Sequence, residues 1–204
     1  MIDEIYLMLD LAQFLNMLHC LSQGRCNLKN KLITMKKFFL MAFLASVLMG
    51  CESANRVDNS TVSSLDLNRY LGYWYEVARF DHAFERGIYY SMARYTLRDD
   101  GKIDVLNTGI KDGRAEEATA IAKTTDVPGL LKVSFFGPFF SDYRIMMVDS
   151  EYQYALVGGS TDKYLWILSR TPQLDEAIKA GIMAEADRRG YDTNRLIWVK
   201  QSGQ

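Results

Sequence analysis

The chain of 204 residues has little histidine, little cysteine and no surplus of either charge. Lys and Arg total 24 against 25 Asp and Glu, for a formal net charge of -1. Charges of both signs are mixed along the chain. With no basic surface to attract phosphates, nucleic acid is excluded as an expected partner. The cysteines are Cys20, Cys26 and Cys51, so the chain beyond residue 51 can hold no internal disulfide. No His/Cys cluster accompanies the first two, so no zinc site is expected and the predicted metal content is none. The chain lacks a Gly-x-Ser-x-Gly elbow and, in its body, a nucleophilic cysteine. His82, beside Asp81, is the only histidine after His19. Such neighbours on a loop are usually solvated, so no enzymatic activity is expected. A haem or pigment carrier is a weaker alternative, because without Cys-x-x-Cys-His the axial ligand would have to be tyrosine. No cofactor is expected. No internal repeat of roughly 20–50 residues is present.

The uncharged run over 38–49 is too short for a membrane span, which takes about 20 residues. Its surroundings explain it better. Lys36 and Lys37 precede it, and Gly50-Cys51 follow, which is the layout of a secretory signal. Met35 is the expected translation start, with 1–34 an extension outside the fold and 35–50 the signal peptide. The Ser-, Asn- and Asp-rich stretch over 51–66 reads as a flexible tether. The domain proper is expected over 67–204.

From residue 73 onward, period-two patterning recurs between turn signals. Strands are expected over 73–80, 89–97, 103–106, 116–123, 130–136, 143–148, 154–157 and 164–169. Asp99-Asp100-Gly101 and Lys111-Asp112-Gly113 supply tight turns. Eight strands with mostly hairpin connections predict an all-β fold, an antiparallel up-and-down β-barrel. Both faces of the eighth strand are apolar, so something must cover its outside. A C-terminal helix can do this. It is expected to start at Thr171 as N-cap, end near Arg189-Gly190, and present Leu174, Ala177, Ile178, Ile182 and Ala186. A last strand is expected over 196–199.

Pleat geometry turns Tyr89, Tyr95, Val133, Phe135, Tyr143, Ile145 and Met147 inward, with Trp166 on the eighth strand. These form the candidate ligand lining. Glu76 and Arg79 are expected on opposite faces of the first strand.

Several motifs within this pattern resemble the lipocalin family, over roughly 65–200. Gly72-Tyr73-Trp74 resembles its Gly-x-Trp motif, following a helical turn over 67–71. Asp149-Ser150-Glu151-Tyr152 resembles its second motif, with Val148 in place of threonine. Arg170 stands where the family's third-motif arginine stands. Trp74-Tyr75-Glu76-Val77-Ala78-Arg79-Phe80, Phe135-Phe136-Gly137-Pro138-Phe139-Phe140 and 165–172 resemble the bacterial lipoprotein branch. Leu48-Met49-Gly50-Cys51 resembles a lipobox, which implies acylation at Cys51. Glu52 rather than Asp after it implies delivery to the outer membrane, on its periplasmic face. The resemblance implies structural roles for Gly72, Trp74 and Arg170. It also implies storage or transport of a lysophospholipid or fatty acid for membrane maintenance under stress, and admits a homodimer.

Overall fold

A computed structural model describes residues 57–201. The expected extension, signal peptide and Cys51 lie outside the described residues. A short helix, α1 (Leu67–Tyr70), precedes β1 (Gly72–Phe80), β2 (Tyr89–Leu97), β3 (Ile103–Lys111), β4 (Arg114–Thr124), β5 (Leu130–Phe136), β6 (Phe139–Val148), β7 (Tyr154–Gly158) and β8 (Leu165–Ser169). Helix α2 (Glu176–Arg188), a 3-10 turn (Thr193–Arg195) and β9 (Leu196–Trp198) complete the domain. Each strand from β1 to β8 pairs antiparallel with its neighbour, β1 also pairs with β8, and β9 adds to the outer part of β1. The eight strands therefore form a closed antiparallel up-and-down barrel, as the patterning predicts. β3 and β4 are longer than expected because Lys111 pairs with Arg114 across a two-residue turn. Asp112 and Gly113 take φ of 51° and 75° there, the left-handed pair that suits strand twist.

Four strands carry a register shift, between Glu76 and Ala78, Tyr89 and Met92, Val133 and Phe136, and Ile145 and Met147. A bulge inserts a residue and changes which face the rest of the strand presents. These four shifts decide much of what lines the interior.

Two apolar cores result. One fills the lower interior with Trp74, Tyr95, Ile103, Val105, Leu131, Ile145, Val157 and Leu168. The other lies between the barrel wall and α2, where Ile182 and Ala186 pack with Phe80, Leu156, Leu165 and Ile167. The eighth strand contributes to both, as its two apolar faces require. Helix α2 begins later than expected, with Asp175 rather than Thr171 as N-cap. The Thr171 hydroxyl is occupied by the Gln173 carbonyl, at 2.6 Å. Ala177 is exposed, so the buried stripe is narrower than its spacing suggests.

Most of the expected tether, residues 57–66, is part of the domain. Val57 is buried. The Asp58 backbone amide donates to Arg189, the Asn59 side chain to the Gly159 carbonyl, and the Val62 amide to Ile145. The Arg189 guanidinium, itself buried, holds the Asp58, Ser60 and Met146 carbonyls. Residues 57–66 form a strap up the outside of the barrel, because a buried arginine needs acceptors that sequence composition does not reveal.

Candidate functional site: the barrel interior

The closed end is built on Trp74, fully buried, whose indole N–H donates to the Tyr70 carbonyl at 2.7 Å. The Arg170 guanidinium lies 3.8 Å from the Trp74 ring centroid. It donates to the carbonyls of Arg69, Tyr70, Leu71, Tyr73 and Tyr152. These orphan carbonyls at the end of α1 and the start of β1 converge on one planar donor, which an ammonium could not match. Gly72 holds φ of +92°, and its Cα approaches the arginine closely enough that an added Cβ would sit 3.5 Å from it. At the β6–β7 turn, Asp149 accepts from the backbone amides of Glu151, Gln153 and Tyr154. Both the expected structural arginine and the second motif thus close the floor.

Above Trp74, the Tyr143 hydroxyl bonds those of Tyr70 and Tyr95 at 2.8 and 2.9 Å. Burial raises the pKa of all three phenols, so they stay neutral. Their hydroxyls satisfy one another, and Tyr70 of α1 is a member that strand periodicity did not mark.

Higher up, the interior opens. On β3 the inward series runs Ile103, Val105, Asn107, and on β4 it runs Ala122, Ala120, Ala118, each paired across the ladder. The first two of each are buried, Asn107 is half-buried and Ala118 is exposed. Inward side chains that become wet from floor to mouth mark a calyx, and alanine leaves more of its width free than a larger residue would.

The opposite wall of the calyx carries buried charge. Contrary to the expectation of opposite faces, Glu76 and Arg79 both point inward, because the bulge after Glu76 resets the alternation. They form an ion pair at 2.5 Å, with side chains 9% and 4% exposed. Arg79 also donates to the Glu85 and Ile88 carbonyls, which ties down the β1–β2 loop. Ser91 donates to Glu76, and Gln201 bridges the Glu76 and Ser91 carbonyls. Burial, with the nearby negative charge of Glu85, outweighs Arg79 and pushes the Glu76 carboxyl up to about 7. One Glu85 oxygen accepts from the Trp166 indole at 3.1 Å and lies 3.0 Å from His82. His82 is therefore not solvated beside Asp81. It stacks on Phe84 and meets the edge of Trp166, while Asp81 pairs with Arg86. Arg79 Nε and both His82 nitrogens are buried without a hydrogen-bond partner.

Of the expected lining, Tyr95 and Ile145 are in the interior core, with Val133, Tyr143 and Trp166 packed against it. Three are elsewhere. Met147 packs under α2, because the bulge after Ile145 turns two successive residues outward. Phe135 is 40% exposed and lines an outer-wall groove of about 650 Å³ with Arg94, Thr119 and Ile121, because of the bulge beyond Val133. Tyr89 is half-buried at the rim against Tyr90, beside the bulge between Tyr89 and Met92. Glu76, Arg79, Glu85 and Ser91 went unmarked as a group because alternation alone cannot locate a bulge.

The model of the lipocalin-like domain matches residues 65–201. The chain belongs to the lipocalin family. The outer membrane lipoprotein Blc of Citrobacter freundii is 46% identical over 164 residues, 78% of this chain and 93% of that protein. Its counterpart from Vibrio cholerae is 45% identical over 173 residues, 82% of this chain and 99% of that protein. Among solved structures, insecticyanin from the tobacco hornworm superposes with a TM-score of 0.59 at 20% identity, covering 71% of this chain and 85% of that one. The family and its bacterial branch agree with the resemblance carried by Gly72, Trp74 and Arg170. This lipocalin is a binding protein of the type that takes hydrophobic ligands.

Proposed function

We propose that this lipocalin is anchored in the bacterial outer membrane through an acylated Cys51, and that its calyx takes a single-chain amphipathic lipid, a lysophospholipid or a fatty acid. The acyl chain runs down the Ala120–Val105 wall toward the tyrosine floor. The polar head sits at Glu76, Arg79 and Glu85. The observation that carries this reading is the buried charged cluster, in which Arg79 Nε lies 4.0 Å from Glu85 and makes no hydrogen bond, set into the upper part of an otherwise apolar interior. A buried donor without a partner costs on the order of 1–3 kcal/mol, which a phosphate or carboxylate oxygen would recover. The names of the Blc relatives, outer membrane lipoproteins, support the location, as does the lipobox at 48–51.

The test is a titration of residues 52–204, freed of the anchor, with a lysophospholipid, a fatty acid and a fatty alcohol of equal chain length. Tryptophan fluorescence and native mass spectrometry report binding. Saturable binding of one lipid per barrel, tighter for the charged heads than for the alcohol, is expected. Equal affinity for all three would refute the head-group assignment, and no binding of any would refute the calyx reading.

A further inference from the structure

The loops β1–β2, β3–β4, β5–β6 and β7–β8 ring the open end of the barrel. The β5–β6 hairpin stands out among them. Residues 133–141 contain no charge. Phe136 and Phe139 pair across the Gly137-Pro138 turn and are 82% and 79% exposed. Phe84, on the β1–β2 loop of the same rim, is 60% exposed. At the opposite end the exposed apolar side chains, Tyr73, Leu97 and Val127, are 52%, 45% and 49% exposed, and the Tyr73 ring is covered on one face by Arg94. The hairpin tip is not loose. Gly137 takes φ of 56°, and the Ser134 hydroxyl donates to the Gly137 carbonyl. Two phenylalanines are therefore held out at the mouth by a pinned turn, and nothing among the described residues covers them.

The strap says what surface lies within reach. It climbs from the floor, where the Asp66 amide donates to the Tyr152 hydroxyl, to the Gly159 carbonyl just past the mouth end of β7. The chain N-terminal to Val57 therefore leaves from the side of the barrel nearer the mouth. The 57 − 51 = 6 residue steps from Cys51 to Val57 span at most roughly 20 Å. The whole of 51–66 would span more than twice that distance. Charged side chains border the apolar tip. Lys123 reaches from lower on β4 to lie over the Phe140 ring at 4.3 Å, and the next hairpin mixes Lys111 and Arg114 with Asp112, Glu116 and Glu117. Aromatic side chains with nearby long cations suit the headgroup region.

We propose that the Phe136–Phe139 tip of the β5–β6 hairpin inserts into the bilayer to which the chain is anchored, so that the mouth of the calyx faces the membrane. This rests on acylation of Cys51. A lipid then passes between bilayer and calyx along the phenylalanine rim rather than through open water.

The test uses the full-length protein, processed and acylated, reconstituted in vesicles of phosphatidylethanolamine and phosphatidylglycerol. Once Cys51 is acylated, a cysteine placed at Phe139→Cys is the single free thiol and accepts an environment-sensitive fluorophore. Asp100→Cys, at the closed end, is the reference. Flotation with the vesicles, with blue-shifted emission and quenching by nitroxide lipids at position 139 but not at 100, is expected. Flotation with position 139 as unquenched as position 100 would overturn the insertion. Failure to float would overturn the acylation reading and take the insertion with it. A blue shift at 139 already present without vesicles, together with a dimer mass, would assign the tip to a second copy of the chain and overturn the proposal. Phe136→Ser with Phe139→Ser, both at exposed positions, should leave flotation and the melting temperature unchanged and lower the rate of lipid uptake from the vesicles. An unchanged rate would also count against it.

Discussion

Replacing Glu76 with glutamine should make the protein more stable at mildly alkaline pH, although it removes a short buried ion pair. The Glu76 carboxyl has its folded pKa raised from 4.5 to about 7, first by burial and then by Glu85, and Arg79 offsets only part of this. A raised carboxyl pKa means that the folded state holds the proton more tightly than the unfolded state. The stabilisation that this gives is complete below about 4.5 and is lost as pH rises through about 7. A difference of about 2.5 pKa units at 1.36 kcal/mol each is on the order of 3 kcal/mol. Glutamine mimics the protonated side chain in size and neutrality. The variant should therefore match the parent near pH 4.5 and exceed it by a few kcal/mol at about pH 8. Subtraction cancels the opposite contributions of Asp100 and Glu185, whose carboxyls are held down to about 2 by Lys102 and Arg188. Urea unfolding of both proteins at the two pH values measures the difference. A glutamine variant less stable than the parent at the higher pH would refute the reasoning, and would mean that attraction to Arg79 outweighs the cost of burial.

Two further outcomes follow from the floor and the wall. Arg170→Lys keeps a cation over Trp74 but cannot reach five carbonyls at once. It should cost about 1–3 kcal/mol, checked as a lower urea midpoint at unchanged slope, and a loss under about 0.5 kcal/mol would mean that the fork contributes little. Ala120→Phe places a ring on the inward wall of the calyx, where Ala120 pairs with Val105. It should weaken lysophospholipid binding at least about tenfold while the barrel still melts cooperatively, and undiminished affinity would place the ligand elsewhere.

Nearly every strand is legible in the sequence, because period-two patterning and the Asp-Gly turns agree with each other along the chain. Tyr95, Ile145 and Trp166 are where alternation puts them, since no bulge separates them from the positions that set the parity. Arg79, Phe135 and Met147 are not. Each follows a bulge, and a bulge depends on how the partner strand twists, which a single strand's sequence does not encode. The strap resembles a tether in sequence for a different reason. Its Ser, Asn and Asp residues have the composition of a linker, and the partner that orders them, Arg189, is far away in the chain. Helix α2 misled at its start because Thr171-Pro172 and Asp175 are both good initiators, and Ser169 and Gln173 claim the threonine.

The strap also fixes where mechanical load enters the domain. Any pull on the chain N-terminal to Val57 arrives first at Asp58, whose amide is held by the Arg189 carbonyl and whose own carbonyl is held by the Arg189 side chain. From there it passes to Gly159 through Asn59 and to the β6 backbone through Val62. These attachments lie in sequence along the strap and fail one after another, as a zip does, rather than together. Drag on the anchored chain would thus peel residues 57–62 away before it strained the ladder between β1 and β8 that keeps the barrel closed. The outer strap acts as a mechanical fuse, and the calyx lies downstream of it.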